Sequence, residues 1–309
     1  VPSAAGDGIQ IGLVVPQQEI GNDPALIAHW ARAAQASGFA YLDIFDHVLG
    51  ADVSERPGWT GVYTRHHAFH EPFVLLAFLA GQVDLELATG VLVLPQRQTA
   101  LVAKQATTLD VISRGRLRLG VGIGWNHVEY EALGSTFDDR AARYDEQIEL
   151  LRRLWAEPVV TFDGAYHRVD GAGIEPRPAR GSISLWLGGG TAPAVLRRVG
   201  RLGDGWIVHD PHPGQAVTNA WKVITTAAEA ADRDPASIGL QGRIDIHGPL
   251  DPDRLVRSLD RWRDVGATHV SLHATHQGDA RAHIDLIPTL AELAGLQPSP
   301  PSPPAVGAL

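Results

Sequence analysis

Residues 9–44, IQIGLVVPQQEIGNDPALIAHWARAAQASGFAYLDI, hold a complete strand–helix–strand unit. The first run, Ile9 to Val15, is short, apolar and rich in β-formers. A helical pattern opens at Pro24, a favoured first-turn residue behind Asp23 as its cap, and runs to Ser37 before Gly38 stops it. The second run, Phe39 to Ile44, is again short and apolar. Apolar runs alternating with helical patterns mark βαβ units and a parallel sheet, because strands buried on both faces lose the polar alternation.

The same alternation continues outward. Glu71 to Gly81 reads as helix, Leu85 to Val91 as strand three, Thr99 to Ser113 as helix and Arg116 to Val121 as strand four. The segment from Gly122 to Arg180 is too long for a plain connection and is expected to be an insertion on the rim, acting as a lid. Inside it, Asp139 to Trp155 has helical periodicity and Val159 to Val169 reads as a hairpin turning at Asp163-Gly164. Strand five is Ile183 to Leu187, followed by a helix from Ala192 to Val199 and strand six at Gly205 to Val208. Strand seven is about Ile238 to Ile246, strand eight Thr268 to Leu272, and a closing helix runs from Arg281 to Leu293. Eight such strands predict an α/β fold, a (β/α)8 TIM barrel in one domain over residues 1–296 with the insertion at about 122–180. Residues 297–309, rich in Pro and Ser, read as a flexible tail.

Composition narrows the partners. Lys plus Arg is 26 against 35 for Asp plus Glu, a formal charge of −9, so no global field favours nucleic acid or an anionic membrane. The absence of cysteine excludes a disulfide framework, a thiolate metal site and a catalytic thiol. Methionine is absent too, and no physical reason for that is apparent. No run approaches the roughly 20 apolar residues of a membrane span, and no basic stretch with an apolar signal core opens the chain, so a cytoplasmic location is expected.

In a barrel, chemistry gathers just past the C-terminal ends of the strands. Asp46-His47, Thr89-Gly90-Val91, Gly122-Ile123-Gly124-Trp125-Asn126 and Gly188-Gly189-Gly190-Thr191 all fall there, after strands two to five. The triple glycine leads into a helix, so its exposed N–H groups and the helix dipole suit an anion such as a phosphate. The same glycines also suit a tight turn. Gly122-x-Gly124 matches half of a dinucleotide fingerprint, but His127 stands where the third glycine belongs, which argues against a Rossmann site. Small residues there still let a flat ring lie against the backbone.

His47 is the best acid/base candidate among the 14 histidines, since imidazole titrates near neutrality and the adjacent Asp46 can fix its tautomer. A loop histidine with a structural partner is the alternative reading. His66, His67 and His70 have a metal-like spacing that no carboxylate or cysteine completes, so no metal site is expected. Trp59, Trp125 and Trp206 either line a ring pocket or fill the core, and Arg197, Arg198 and Arg201 read as a solvated helix face.

Several of these motifs together resemble the luciferase-like superfamily of flavin and deazaflavin oxidoreductases. They are Phe45-Asp46-His47, Ala88 to Leu92 with Pro95, Leu119 to Asn126, and Gly203-Asp204-Gly205-Trp206, within a similarity from Ile9 to Leu293. The nearest branch is the actinobacterial oxidoreductases that use the deazaflavin coenzyme F420. The resemblance implies a cofactor ring held against strands two to four and a cofactor phosphate near Gly188 to Thr191. The expected cofactor contacts are therefore Thr89, Gly90, Val91, Gly122, Gly124, Trp125, Asn126, Gly188, Gly189, Gly190 and Thr191. In the family's sugar-phosphate dehydrogenases the Asp-His pair includes the acid/base, which falls here on Asp46 and His47. A non-proline cis peptide of those members falls at Gly90-Val91, while their glutamate just past the Gly-x-Gly has no match, Trp125-Asn126 standing there.

The implied function is hydride transfer between coenzyme F420 and a small organic substrate. An FMN-dependent monooxygenase is the alternative within the family, and the Asp-His pair favours the deazaflavin. Outside it stand a cofactor-free binding barrel and a phosphosugar isomerase or aldolase, the aldolase lacking a strand-end lysine. The expected partners are the small-molecule substrate and a second copy in a homodimer, with no nucleic acid and no membrane.

Overall fold

The computed structural model describes residues 8–209 and 212–299. Of the predicted tail, residues 300–309 lie outside the described residues. β1 (Gln10–Val14) leads through α1 (Pro24–Ala36) to β2 (Tyr41–Ile44), and α2 (Pro72–Ala80) leads to β3 (Glu86–Thr89) and β4 (Leu92–Val93). Next come α3 (Thr99–Ile112), β5 (Leu117–Gly122), α4 (His127–Ala132), α5 (Arg140–Ala156) and the hairpin of β6 (Val160–Asp163) and β7 (Arg168–Ala172). The rest is β8 (Ser184–Gly189), α6 (Pro193–Leu202), β9 (Gly205–Val208), α7 (Gln215–Glu229), β10 (Gly239–His247), α8 (Pro252–Asp264), β11 (His269–Thr275) and α9 (Ala280–Ala294). Asp23 caps α1 by accepting the Ala25 N–H at 2.8 Å, the role its place before Pro24 predicts.

The central strands run in the order β3-β2-β1-β11-β10-β9-β8-β5-β4, and every neighbouring pair is parallel. Pairing of β3 with β5 closes the sheet, so β3 and β4 share one position of an eight-stranded barrel. This is the predicted (β/α)8 architecture. The third strand differs from the expected continuous run. It breaks after Thr89, where the Gly90 N–H bonds to the Ile44 carbonyl at 2.8 Å and the Gly90-Val91 peptide is cis. Beyond the break, β4 pairs with Val121 and Gly122 of β5.

The long connection from β5 to β8 is only partly an insertion. α5 buries Tyr144, Ile148, Leu151 and Trp155, and its Gln147 reaches Thr99 of α3 at 2.9 Å. It therefore fills the helix position that a parallel crossover requires. The added parts are α4 and the hairpin. Two other crossover helices, α7 and α8, were implied by the strand count but not located by the sequence reading. α8 buries only Leu255, Leu259 and Trp262, one narrow stripe on a helix that otherwise carries charge.

A buried polar cluster fills the lower barrel. Arg118 lies between the rings of Tyr41 and Trp186, with its Cζ 4.5 and 4.7 Å from their centroids, and bonds Glu86 at 2.5 Å and Gln241. Ser271 and Gln241 each donate to Asp43 Oδ2 at 2.9 Å. Burial pushes the Asp43 carboxyl up, while Arg118 opposes the shift. His269 sits 5.6 Å from the Tyr41 ring and 4.8 Å from Trp186, and burial, helped by the Arg118 charge, pushes its pKa down to about 2.

His269 thus stays neutral in the fold while the unfolded chain protonates it near 6.5, so stability falls as the pH drops through that value. Compared with His269→Phe, the protein should lose about 1.4 kcal/mol of relative stability per pH unit between about pH 6.5 and 4.5. Denaturant unfolding across that range measures this. Parallel stability curves for the two proteins would mean that His269 titrates normally in the fold.

Candidate active site

The strand-end residues converge as the barrel requires. A cavity of about 370 Å³ opens among Asp46 and His47 past β2, Gly90 and Val91, Gly122 to Asn126, and Gly188 to Gly190. Val91 lines it between Gly122 and Gly188. A Cβ added at Gly122 or Gly188 would come within 2.6 or 2.5 Å of a Val91 methyl, so only glycine lets these three strands approach so closely.

His47 and Asp46 separate. The Asp46 carboxylate is buried and turned into the wall, where it accepts the Val93 N–H at 2.8 Å and Arg97 Nη2 at 2.7 Å. Arg97 also reaches Glu71 at 3.1 Å. Burial raises the Asp46 pKa against the pull of Arg97. The expectation that Asp46 fixes the His47 tautomer is therefore corrected.

That role falls to Glu129, whose Oε1 lies 3.0 Å from His47 Nδ1 and 3.1 Å from the Val48 N–H. Glu129 is buried, in the first turn of α4, and α4 is capped by Asn126 through the Val128 N–H at 3.2 Å. Asn126 Nδ2 also donates to the Leu49 carbonyl at 3.2 Å, so two side chains tie this helix start to the loop after β2. A carboxylate on Nδ1 makes that nitrogen the N–H donor, which leaves the lone pair on Nε2 of a ring that lines the cavity. The sequence reading missed Glu129 and Arg97. Asn126 followed three residues later by Glu129 is a helix-start signature that would have placed α4.

Other predicted residues divide. Thr89 is fully buried and donates to the Gly120 carbonyl at 2.6 Å, so it sits behind the cavity wall. Thr191 is exposed and off the lining, although it follows Gly190. Trp125, 40% exposed, lines the cavity with its ring 5.8 Å from His47, and Trp59 lies 5.9 Å behind it. Trp206 is core, its Nε1 donating to the Gly189 carbonyl at 3.0 Å. Arg197 and Arg201 are exposed as expected, but Arg198 is not a solvated residue: its side chain is 12% exposed, lines the cavity and pairs with Asp145. His67 Nδ1 accepts the Thr64 N–H at 3.0 Å, a turn contact within its own loop.

At the glycine end, the N–H groups of Gly190 and Thr191 make no backbone hydrogen bond among the described residues, and α6 starts just beyond. A Cβ at Gly190 would meet nothing within 4 Å. The donors and space there fit an anionic group, and the apolar floor beside them fits a flat ring.

A family model described as luciferase-like monooxygenase matches residues 9–287. The chain belongs to that family. Similar proteins include the F420-dependent glucose-6-phosphate dehydrogenase of Mycobacterium tuberculosis, 30% identical over 260 residues, which are 81% of this chain and 73% of that one. The F420-dependent hydroxymycolic acid dehydrogenase of the same species is 30% identical over 268 residues, 85% of this chain and 68% of that protein. Among solved structures, an F420-dependent secondary alcohol dehydrogenase bound to an F420-acetone adduct superposes with a TM-score of 0.77 at 17% identity, over 93% of this chain and 99% of that one. A monooxygenase from Streptomyces bottropensis gives a TM-score of 0.76 at 20% identity, over 92% and 98%. At those identities the two structures speak for the family's fold.

Removing Arg97 would leave the buried Asp46 carboxyl with the Val93 N–H as its remaining partner and no compensating cation. Arg97→Ala should cost about 3–5 kcal/mol in denaturant unfolding. Combining it with Asp46→Asn should recover part of that loss, and a neutral single variant would contradict the clamp.

Proposed function

We propose that this chain is an F420-dependent oxidoreductase that moves a hydride between the deazaflavin and a small alcohol or carbonyl substrate, with His47 handling the proton. The observation that carries the reading is the His47–Glu129 pair at 3.0 Å in the same cavity as the glycine cradle. Relatives named F420-dependent dehydrogenases support the cofactor.

Coenzyme F420, when bound, supplies a ring carbon that accepts or returns two electrons as hydride. Val91, Gly122 and Gly188 would support that ring, and the Gly190 N–H, which makes no backbone hydrogen bond among the described residues, would hold the phosphate at the start of α6. When hydride leaves a carbinol carbon, the substrate oxygen must lose its proton for the carbonyl to form. His47 Nε2 accepts that proton, and Glu129 stabilises the resulting imidazolium through Nδ1–H. In the reverse direction the same ring returns the proton to oxygen. Tyr63 and Phe69, with ring centroids 4.6 and 4.7 Å from His47, restrict water around it.

Only part of the long connection serves as cover. Ile123 to Asn126, Glu129 and Tyr144 line the cavity, whereas the β6–β7 hairpin contributes no lining residue and is anchored on Glu146 through the Ala165 N–H at 2.7 Å. The lid role is accordingly assigned to Trp125 and α4.

His47→Ala should bind F420 nearly normally yet turn over about 10²–10⁴-fold more slowly, and Glu129→Gln should fall between the two. Stopped-flow reduction of the deazaflavin separates chemistry from binding. A His47→Ala protein with unchanged turnover would remove the proton-transfer role.

Gly190→Val adds a branched side chain whose Cβ meets no protein atom within 4 Å, so it should crowd the cradle and weaken F420 binding by at least about tenfold in a fluorescence titration. Unchanged affinity would move the phosphate elsewhere, and preferential binding of FMN would favour the monooxygenase alternative.

A further inference from the structure

A second cavity, of about 470 Å³, opens beside the first at the ends of β9 and β10. His209 lines the first cavity and bonds the Gly189 carbonyl at 3.2 Å, while His212, three residues on, lines the second. The two cavities thus share a wall along β10, where Arg243 lines one and its neighbours Ile244 and Asp245 line the other.

The groove's far wall is α8, which presents Arg254, Arg257 and Arg261. Their spacing of three and four residues stacks them on one helix face over about 10 Å. Among the described residues no carboxylate pairs with any of the three guanidinium groups. Elsewhere Arg56, Arg97, Arg143, Arg152, Arg198 and Arg263 each hold one. Asp245, also on this cavity, is already held by Arg243 at 3.0 Å and His273 at 2.8 Å.

Helix physics does not explain this placement. Like charges at i,i+3 and i,i+4 repel, and Arg254 stands in the first turn, where the helix dipole disfavours a cation. In a chain of net charge −9 with 35 acidic residues, three cations facing one groove with no carboxylate partner among the described residues suit an external polyanion.

We propose that this groove docks the oligoglutamate tail of coenzyme F420, with Arg254, Arg257 and Arg261 holding successive carboxylates. The inference rests on the F420 reading above. It adds a binding subsite outside the ring cavity and makes affinity depend on tail length.

The test is fluorescence titration of the intact protein with F420 carrying several glutamates and with the tail-less form that keeps the phosphate but carries no glutamate. It is run for the unaltered chain and for Arg254→Gln/Arg257→Gln/Arg261→Gln. The three arginines are exposed surface residues, and circular dichroism checks that the variant folds; the single charge reversal Arg257→Glu is a second, milder probe. The expected result is about a tenfold or greater loss of F420 affinity in the triple variant, with the tail-less compound bound as before. The unaltered protein's preference for the tailed cofactor should also shrink steeply with salt. Equal F420 affinity in variant and parent, or equal affinity of the parent for both compounds, overturns the groove assignment. If the parent binds neither compound, the cofactor reading itself falls, and the groove falls with it.

Discussion

The buried Asp46 carboxylate is the constraint from which the upper barrel is organised. A charge there loses several kcal/mol of hydration, and only paired, charge-assisted hydrogen bonds offset that cost. Arg97 and the Val93 N–H provide them, so the chain just past β2 is locked to the end of β4 and to the approach to α3. That lock fixes Val91, two residues before Val93, as the cavity floor. It also fixes the direction in which His47, the next residue, leaves the strand.

Below the floor, the buried cluster around Arg118 and Asp43 continues the same logic. A Cβ at Gly90 would lie 2.5 Å from Asp43 Oδ1, and one at Gly120 would lie 1.9 Å from the Thr89 carbonyl. The broken third strand thus rests directly on a polar plug. Gln241 accepts from Arg118 and donates to both Asp43 and Ser271, and Ser271 donates to Asp43, so the plug is one connected network and not a set of separate pairs.

What the sequence disclosed follows from which forces are local. Buried parallel strands are continuous apolar runs, so most boundaries were legible to within a residue or two, and β9 matched at Gly205 and Val208. α8 was not legible, since three buried residues among many charges give a weak periodic signal. The break at Gly90 was legible through family motif alone, because nothing in Leu85 to Val91 interrupts its β pattern. Asp46 and His47 misled as neighbours. Successive side chains of extended backbone point to opposite sides, so adjacency in sequence argued against contact in space. His47 instead meets Glu129, 82 residues away, a contact that only the closed barrel creates.

Charge at the barrel mouth is sorted by location. The guanidinium groups on the ring cavity already hold carboxylates, Arg198 with Asp145 and Arg243 with Asp245, the latter kept below its usual range by His273 and Arg243 despite burial. The ring cavity is therefore nearly neutral and walled by aromatic side chains, which suits a flat ring and an uncharged reacting group. A phosphate monoester entering it would meet no cation without a carboxylate partner among the described residues, although relatives of this chain are named for a sugar-phosphate substrate. The cations with no carboxylate partner among the described residues stand outside, on α8, where an anion can be held without raising the charge beside His47. Separating the two lets an acidic chain take up an anionic cofactor while the proton-transfer residue keeps a single dominant charged neighbour, Glu129.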